Sequence, residues 1–374
     1  MASENDPRLP FQEALNLVKL PSGTSTLGPT QRYMSTRAAY IPGVEFPPNL
    51  PRLHKAAYGG VVYGQAAFAA CKAYRELEDH KGTKPEDRLG LHTVHGYFTA
   101  IGRDDRPYIY EVAPATTSRT FSTVSVMAYQ ASVPSTNSQL DNFPLKDASL
   151  PVGTTAFSGM CSFKAAEPHS NDISKQEDSA QKRYASILGT RRPEEWPPAP
   201  PVDIDALKEL DLEEMKGVGT FPVVDMKKVD MTAYNEGKPY HERIELVLYR
   251  LLKPLPSDGT DGYDANAHIV AHAFTIDRNG LLMAGNHLGF GYSFGRVASL
   301  SYTFTVHVNA DEAVMREGED EWWIQELSFP RAGAGRGIVM SKVWSPQGLH
   351  VATEYQDGLI RVFEDRSGKQ QGKL

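Results

Sequence analysis

The sequence predicts an α+β chain in which one buried helix wrapped by an antiparallel sheet occurs twice in tandem. The run 58–75 is Ala-rich and apolar on nearly every side, as a helix enclosed by protein must be. The runs that follow are β-branched and aromatic, alternate in polarity, and are separated by Gly, Pro and Asp turns. After residue 235 the same order returns, as a repeat of pattern rather than of residue identity.

Residues 1–50, rich in Pro, Ser and Thr, suggest a peripheral arm or short initial strands. The first helix then needs a wrapper, which strands at 91–98, 108–112, 119–130 and 154–163 supply. Residues 165–235 break the pattern with polar 171–178, the Pro cluster 196–201 and a short charged helix near 205–215, and read as a long linker. A strand at 244–251, a helix from about Ala265 to Asp277 and runs at 297–308, 321–330, 337–345 and 348–363 follow, with Pro346-Gln347-Gly348 as a hairpin turn. Each half thus reads β-α-β-β-β-β. The expected domains are 10–165 and 236–366, joined by the polar, Pro-rich linker 166–235.

A length of 374 residues leaves room for two cores. Hydrophobic and charged contents of 40% and 23% fit a globular chain, and no run of 18 apolar residues offers a membrane span. Met1–Pro7 lacks the basic start and apolar core of a secretory signal, which predicts an intracellular protein. The two cysteines, Cys71 and Cys161, are too few for a disulfide framework or a cysteine zinc site and read as reduced packing thiols. A net charge of −7 argues against a general nucleic-acid binder, though not against a local basic pocket for a phosphorylated ligand.

Asp277, Ser299 and Gln356 fall at a helix end and in two strands. A carboxylate, a hydroxyl and an amide can together hold and polarise one water, which suits hydrolysis. Gly291-Tyr292-Ser293-Phe294-Gly295 spells a hydrolase nucleophile motif, but a strand-like run follows where an elbow needs a helix, so it reads as a loop. Ala332–Gly337 echoes a dinucleotide loop and reads instead as a flexible connection between strands. His268 and His272 stand one helical turn apart with no Glu between them, which favours structure over metal binding. Trp322-Trp323 reads as a strand pair, one side chain inward and one outward. Gly59-Gly60, at a helix start, either offers backbone N–H groups to an oxyanion or lets helix and sheet pack closely, and the two readings weigh equally.

Gly59-Gly60-Val61-Val62-Tyr63-Gly64-Gln65-Ala66 and His92-Thr93-Val94-His95-Gly96-Tyr97-Phe98 resemble two motifs of the acyl-CoA thioesterase II (TesB-like) family of double hot-dog proteins, and the likeness covers most of the chain. Asp277, Ser299 and Gln356 fall where that family has its catalytic Asp, Ser or Thr, and Gln; only this register selects Ser299 over Ser301. The resemblance implies a tandem hot-dog fold and fatty acyl-CoA as substrate. It further implies hydrolysis to fatty acid and CoA by an activated water without an acyl-enzyme, and neither cofactor nor metal. Gly59, Gly60 and His95 would contact substrate. Departures are Arg119, which precedes Phe121-Ser122 where the family often has an Arg two or three positions on, and the longer linker. A Ser293-dependent lipase-like hydrolase and a non-catalytic acyl-CoA-binding protein remain alternatives, and a homo-oligomer, dimer or tetramer, stays open. Gly372-Lys373-Leu374 matches the last two positions of the peroxisomal address, so a peroxisomal or cytoplasmic location is expected.

Overall fold

The first half is organised by helix α1, Gly59–Lys81, whose Ala-rich centre from Gly60 to Cys71 is buried at every position. Gly82 ends it with φ +72°, the left-handed turn that glycine adopts without penalty. The structure, a computed structural model, describes residues 8–25, 28–41, 56–137, 142–168, 170, 173–199, 221–255, 264–278, 280–289, 294–316 and 321–362. Ser293, the charged segment 205–215 and Gly372-Lys373-Leu374 therefore lie outside the described residues.

Around α1 run β1 (Leu17–Ser25), β2 (Gly28–Ser35), β3 (Gly90–Phe98), β4 (Tyr108–Thr117), β5 (Phe121–Ala131) and β6 (Val152–Lys164). The second half has β7 (Val224–Lys228), β8 (Ile244–Leu251), helix α2 (Ala265–Ile276), helix α3 (Gly280–His287), β9 (Phe294–Val306), β10 (Trp323–Gly333), β11 (Arg336–Trp344) and β12 (His350–Val362). All twelve strands join one antiparallel sheet in the order β1-β2-β4-β5-β6-β3-β9-β12-β11-β10-β8-β7. Adding six to each label of the first half gives the second, so the halves share one topology and meet at β3 and β9. Each half has two strands before its helix, where the sequence showed one. Ala334 and Gly335, both with positive φ, make the β10–β11 connection a tight two-residue hairpin instead of a flexible loop.

The span 166–235 is more than a linker. It contributes edge strand β7, and its Ala180, Tyr184 and Trp196 cover the outer face of the second half's sheet together with Trp322, Ile324 and Trp344. Trp322 and Trp323 do point to opposite faces, yet both are buried, because this cover encloses the outward one. Glu326 fastens it: Arg183 donates to both carboxylate oxygens, at 2.7 and 2.5 Å, and Tyr184 and Trp344 donate as well. Arg183→Met strands this buried carboxylate. We expect a stability loss of about 1–3 kcal/mol, read by urea denaturation, with kcat unchanged.

Candidate active site

Asp277 occupies the C-cap of α2 and is 7% exposed. That is an unfavourable place for an anion, since the unpaired carbonyls of a helix C-terminus concentrate negative charge. The other half supplies the compensation. The N-terminal end of α1 abuts Asp277, the Gly60 N–H donates to its carboxylate, and Tyr58, the N-cap residue, makes no side-chain cap of its own. By contrast Asp264 caps α2 by accepting from the Asn266 N–H at 2.9 Å.

The glycines make this approach feasible. A Cβ on Gly60 would stand 2.7 Å from the Phe274 carbonyl oxygen, and one on Gly59 would stand 2.9 Å from Asp277 Oδ2 and 3.6 Å from Ser299 Oγ. The last turn of α2 is pinned by side chains in place of the missing amides. Tyr58 donates its hydroxyl to the Phe274 carbonyl at 2.8 Å, and Gln325 Nε2 donates to the Ile276 carbonyl at 2.7 Å.

Gln356 completes the group from β12. Its Nε2 donates to Asp277 Oδ1 at 2.5 Å and to Ser299 Oγ at 2.8 Å. Ser299 reaches it through an irregularity in the β9–β12 ladder: Asp357 pairs with Ser301, but the next residue, Gly358, pairs with Ser299. The extra residue reverses the alternation of β9 and selects Ser299 over Ser301. Burial pushes the Asp277 pKa up to about 7, while the Gly60 amide and Gln356 pull it back down.

These groups open on a cavity of about 300 Å³ whose walls include Val62, Phe98, Ile101, Leu281, Leu282 and Val297. Arg278 also lines it, stacked 4.2 Å from the centre of the Phe221 ring and donating to the Ala199 carbonyl at 3.2 Å. Gly59, Gly60, Asp277, Ser299 and Gln356 thus come together. His95 does not. Strand alternation turns it to the outer face of β3, where it is exposed and bonds Thr303 Oγ1 at 3.1 Å, apart from this cavity. Sequence reasoning passed over Gln325 and the hydroxyl of Tyr58, neither of which stands in a recognisable motif.

Strand β9 begins at Phe294, directly after Ser293, so the helix that a nucleophile elbow requires is replaced by a strand. Among the described residues no three His, Cys, Asp or Glu side chains could hold a metal. His272 is buried between the Tyr249 hydroxyl at 2.7 Å and the Ala313 carbonyl at 2.9 Å, and His268 accepts from the Met315 N–H. Cys71 and Cys161 are buried free thiols. No described helix is long and apolar enough to cross a membrane.

Models of the acyl-CoA thioesterase N-terminal and C-terminal domains match residues 46–141 and 250–360. The chain belongs to the acyl-CoA thioesterase family. This thioesterase, a thioester hydrolase, is 24% identical over 313 residues to acyl-coenzyme A thioesterase 8 of Homo sapiens, an alignment covering 82% of this chain and 81% of the relative. It is 23% identical over 310 residues to acyl-CoA thioesterase 2 of Haemophilus influenzae, covering 82% and 88%. In fold it is similar to the acyl-CoA thioesterase II TesB2 of Mycobacterium marinum, with a TM-score of 0.56 at 22% identity over 96% of this chain and 99% of the other. A hot-dog-fold protein from Alicyclobacillus acidocaldarius superposes with a TM-score of 0.54 at 13% identity over 94% and 98%. The thioesterase is a tandem hot-dog.

Proposed function

We propose that this thioesterase cleaves fatty acyl-CoA by direct attack of water, with Asp277 as general base and Ser299 and Gln356 orienting the nucleophile. The carrying observation is the Gln356 amide bridging Asp277 and Ser299 at the wall of an apolar cavity. Because Ser299 Oγ accepts from Gln356, its own proton is left to donate to a water oxygen. Asp277 takes one proton of that water as its oxygen bonds to the thioester carbon. The resulting oxyanion is held at the positive end of α1, where the Gly59 amide remains when Gly60 serves Asp277. Collapse breaks the carbon–sulfur bond, and the proton on Asp277 passes to the departing CoA sulfur, giving acid and thiol.

A thiol reagent following CoA release over a series of acyl lengths tests the assignment. Tight acyl-CoA binding with no thiol release at any length would leave the non-catalytic reading and discard this one.

The pH dependence follows from the same carboxyl. Below its pKa of about 7 Asp277 holds a proton and cannot accept another. The kcat/KM profile, which reports the free enzyme, should therefore fall on the acid side of pH 7, about tenfold per pH unit once well below it, and a flat kcat/KM profile down to pH 5 (about two units lower) would exclude Asp277 as the base.

A further inference from the structure

Glu354 has no exposed surface, and the reaction above makes no use of it. It stands two residues before Gln356 on the inward face of β12, opposite Ser341 of β11. Neighbouring strands β10, β11, β12 and β9 place Gln325, Ser341, Glu354 and Tyr302 in a staggered row of buried polar side chains: Ser341 pairs with Glu354, while Gln325 pairs with Val343 and Tyr302 with Gln356. At one end Gln325 Nε2 donates to Ser341 Oγ at 3.2 Å and to the Ile276 carbonyl at 2.7 Å. Ile276 is bonded directly to Asp277, so this end of the row fixes the base. At the other end the hydroxyls of Ser341 and Tyr302 face the Glu354 carboxyl. Among the described residues neither Glu354 oxygen closes a hydrogen bond of good geometry, and the Tyr302 hydroxyl does not either.

We propose that Glu354 is a positioning residue, a carboxylic acid that anchors Ser341 and Tyr302 and, through Ser341 and Gln325, the helix end that carries Asp277. Its effect on turnover rests on the reaction proposed above. Two buried carboxyls in one site share a single charge more readily than they hold two. The charge settles on Asp277, which has the Gly60 amide and Gln356 to receive it. Glu354 keeps the proton, because burial and the Asp277 charge both push its pKa well above the ordinary carboxylate range. The other titratable groups facing it are Tyr302 on β9 and Tyr58 and Tyr63 at the start of α1, all held neutral by burial. A protonated acid both donates and accepts, which a carboxylate between hydroxyls cannot do.

Glu354→Leu and Glu354→Gln separate this role from mere packing. Leucine should lower kcat roughly 10–100-fold through misplacement of the base, with KM little changed. Glutamine, neutral and able to donate and accept, should restore most of the loss and keep the acid limb of the pH profile where the wild type has it. A leucine variant with wild-type kcat overturns the proposal. So does an acid limb moved to lower pH in Glu354→Gln, since that shift would mean a negative charge had been removed. Should the leucine variant not fold, infrared spectra decide. Above pH 7, where Asp277 is ionised in both proteins, the wild-type spectrum minus that of Glu354→Gln should contain the carbonyl stretch of a protonated carboxylic acid, and a difference without that band overturns the proposal. This readout needs no turnover. A wild-type protein that releases no thiol would refute the reaction and leave the infrared result standing.

Discussion

Asp277→Ala lowers kcat roughly 10²–10⁴-fold, the usual worth of a general base, while the protein folds and binds acyl-CoA. Thiol release from a saturating substrate measures it, and near-normal turnover would remove Asp277 from the chemistry. Stability provides a second, opposite sign. The folded protein raises this carboxyl from 3.8 to about 7, so it binds the proton more tightly folded than unfolded. Ionising the group therefore weakens the fold progressively between those two values, and the full cost is present above pH 7. Asp277→Asn removes that cost and should raise Tm at alkaline pH relative to the wild type, even as it abolishes most of the activity. A drop in both quantities would point instead to a carboxylate whose main task is structural.

Gly59→Ala should cost roughly 10²-fold in kcat, the scale of a small misplacement at a reacting centre. The added methyl would stand 2.9 Å from Asp277 Oδ2, 3.3 Å from Phe98 Cζ and 3.6 Å from Ser299 Oγ, in the space that the proposed reaction assigns to a water shared by the two polar groups. Helix propensity acts the other way, since alanine is the better helix former by about 1 kcal/mol. Activity and stability should again part company, and paired measurements of kcat and Tm distinguish this from a general loss of packing. A variant with both values close to wild type would show that the methyl intrudes on nothing the reaction uses.

Much of the fold was legible because its signals are local. The alanines from Ala66 to Ala73 announce an enclosed helix, and the alternating runs that follow announce its wrapper. β7 was hidden among polar and proline residues, and the cover formed by Tyr184 and Trp196 depends on contacts with distant Trp322 and Trp344. Within the site, Asp277, Ser299 and Gln356 were all named by the family resemblance, and the physical ground for Ser299 over Ser301 is an irregular ladder that no local pattern marks. β12 shows the opposite of the usual alternation. Glu354 and Gln356 face inward while Tyr355 between them is 46% exposed, so a hydropathy reading would orient this strand backwards. That inversion, polar residues on the core side, was the unread signal for Glu354.

The difference between the two helix starts reaches beyond this one site. α2 closes its own first turn with Asp264, while α1, led by Tyr58, leaves its first turn to a carboxylate from the other half. In an assembly of identical halves any substitution is inherited twice, so a helix start could not be open in one place and closed in the other. Fusion into a single chain ends that duplication. One half can specialise in presenting bare amides and the other in acid–base chemistry, and the pseudo-equivalent position around Asp264 is released to drift toward stability.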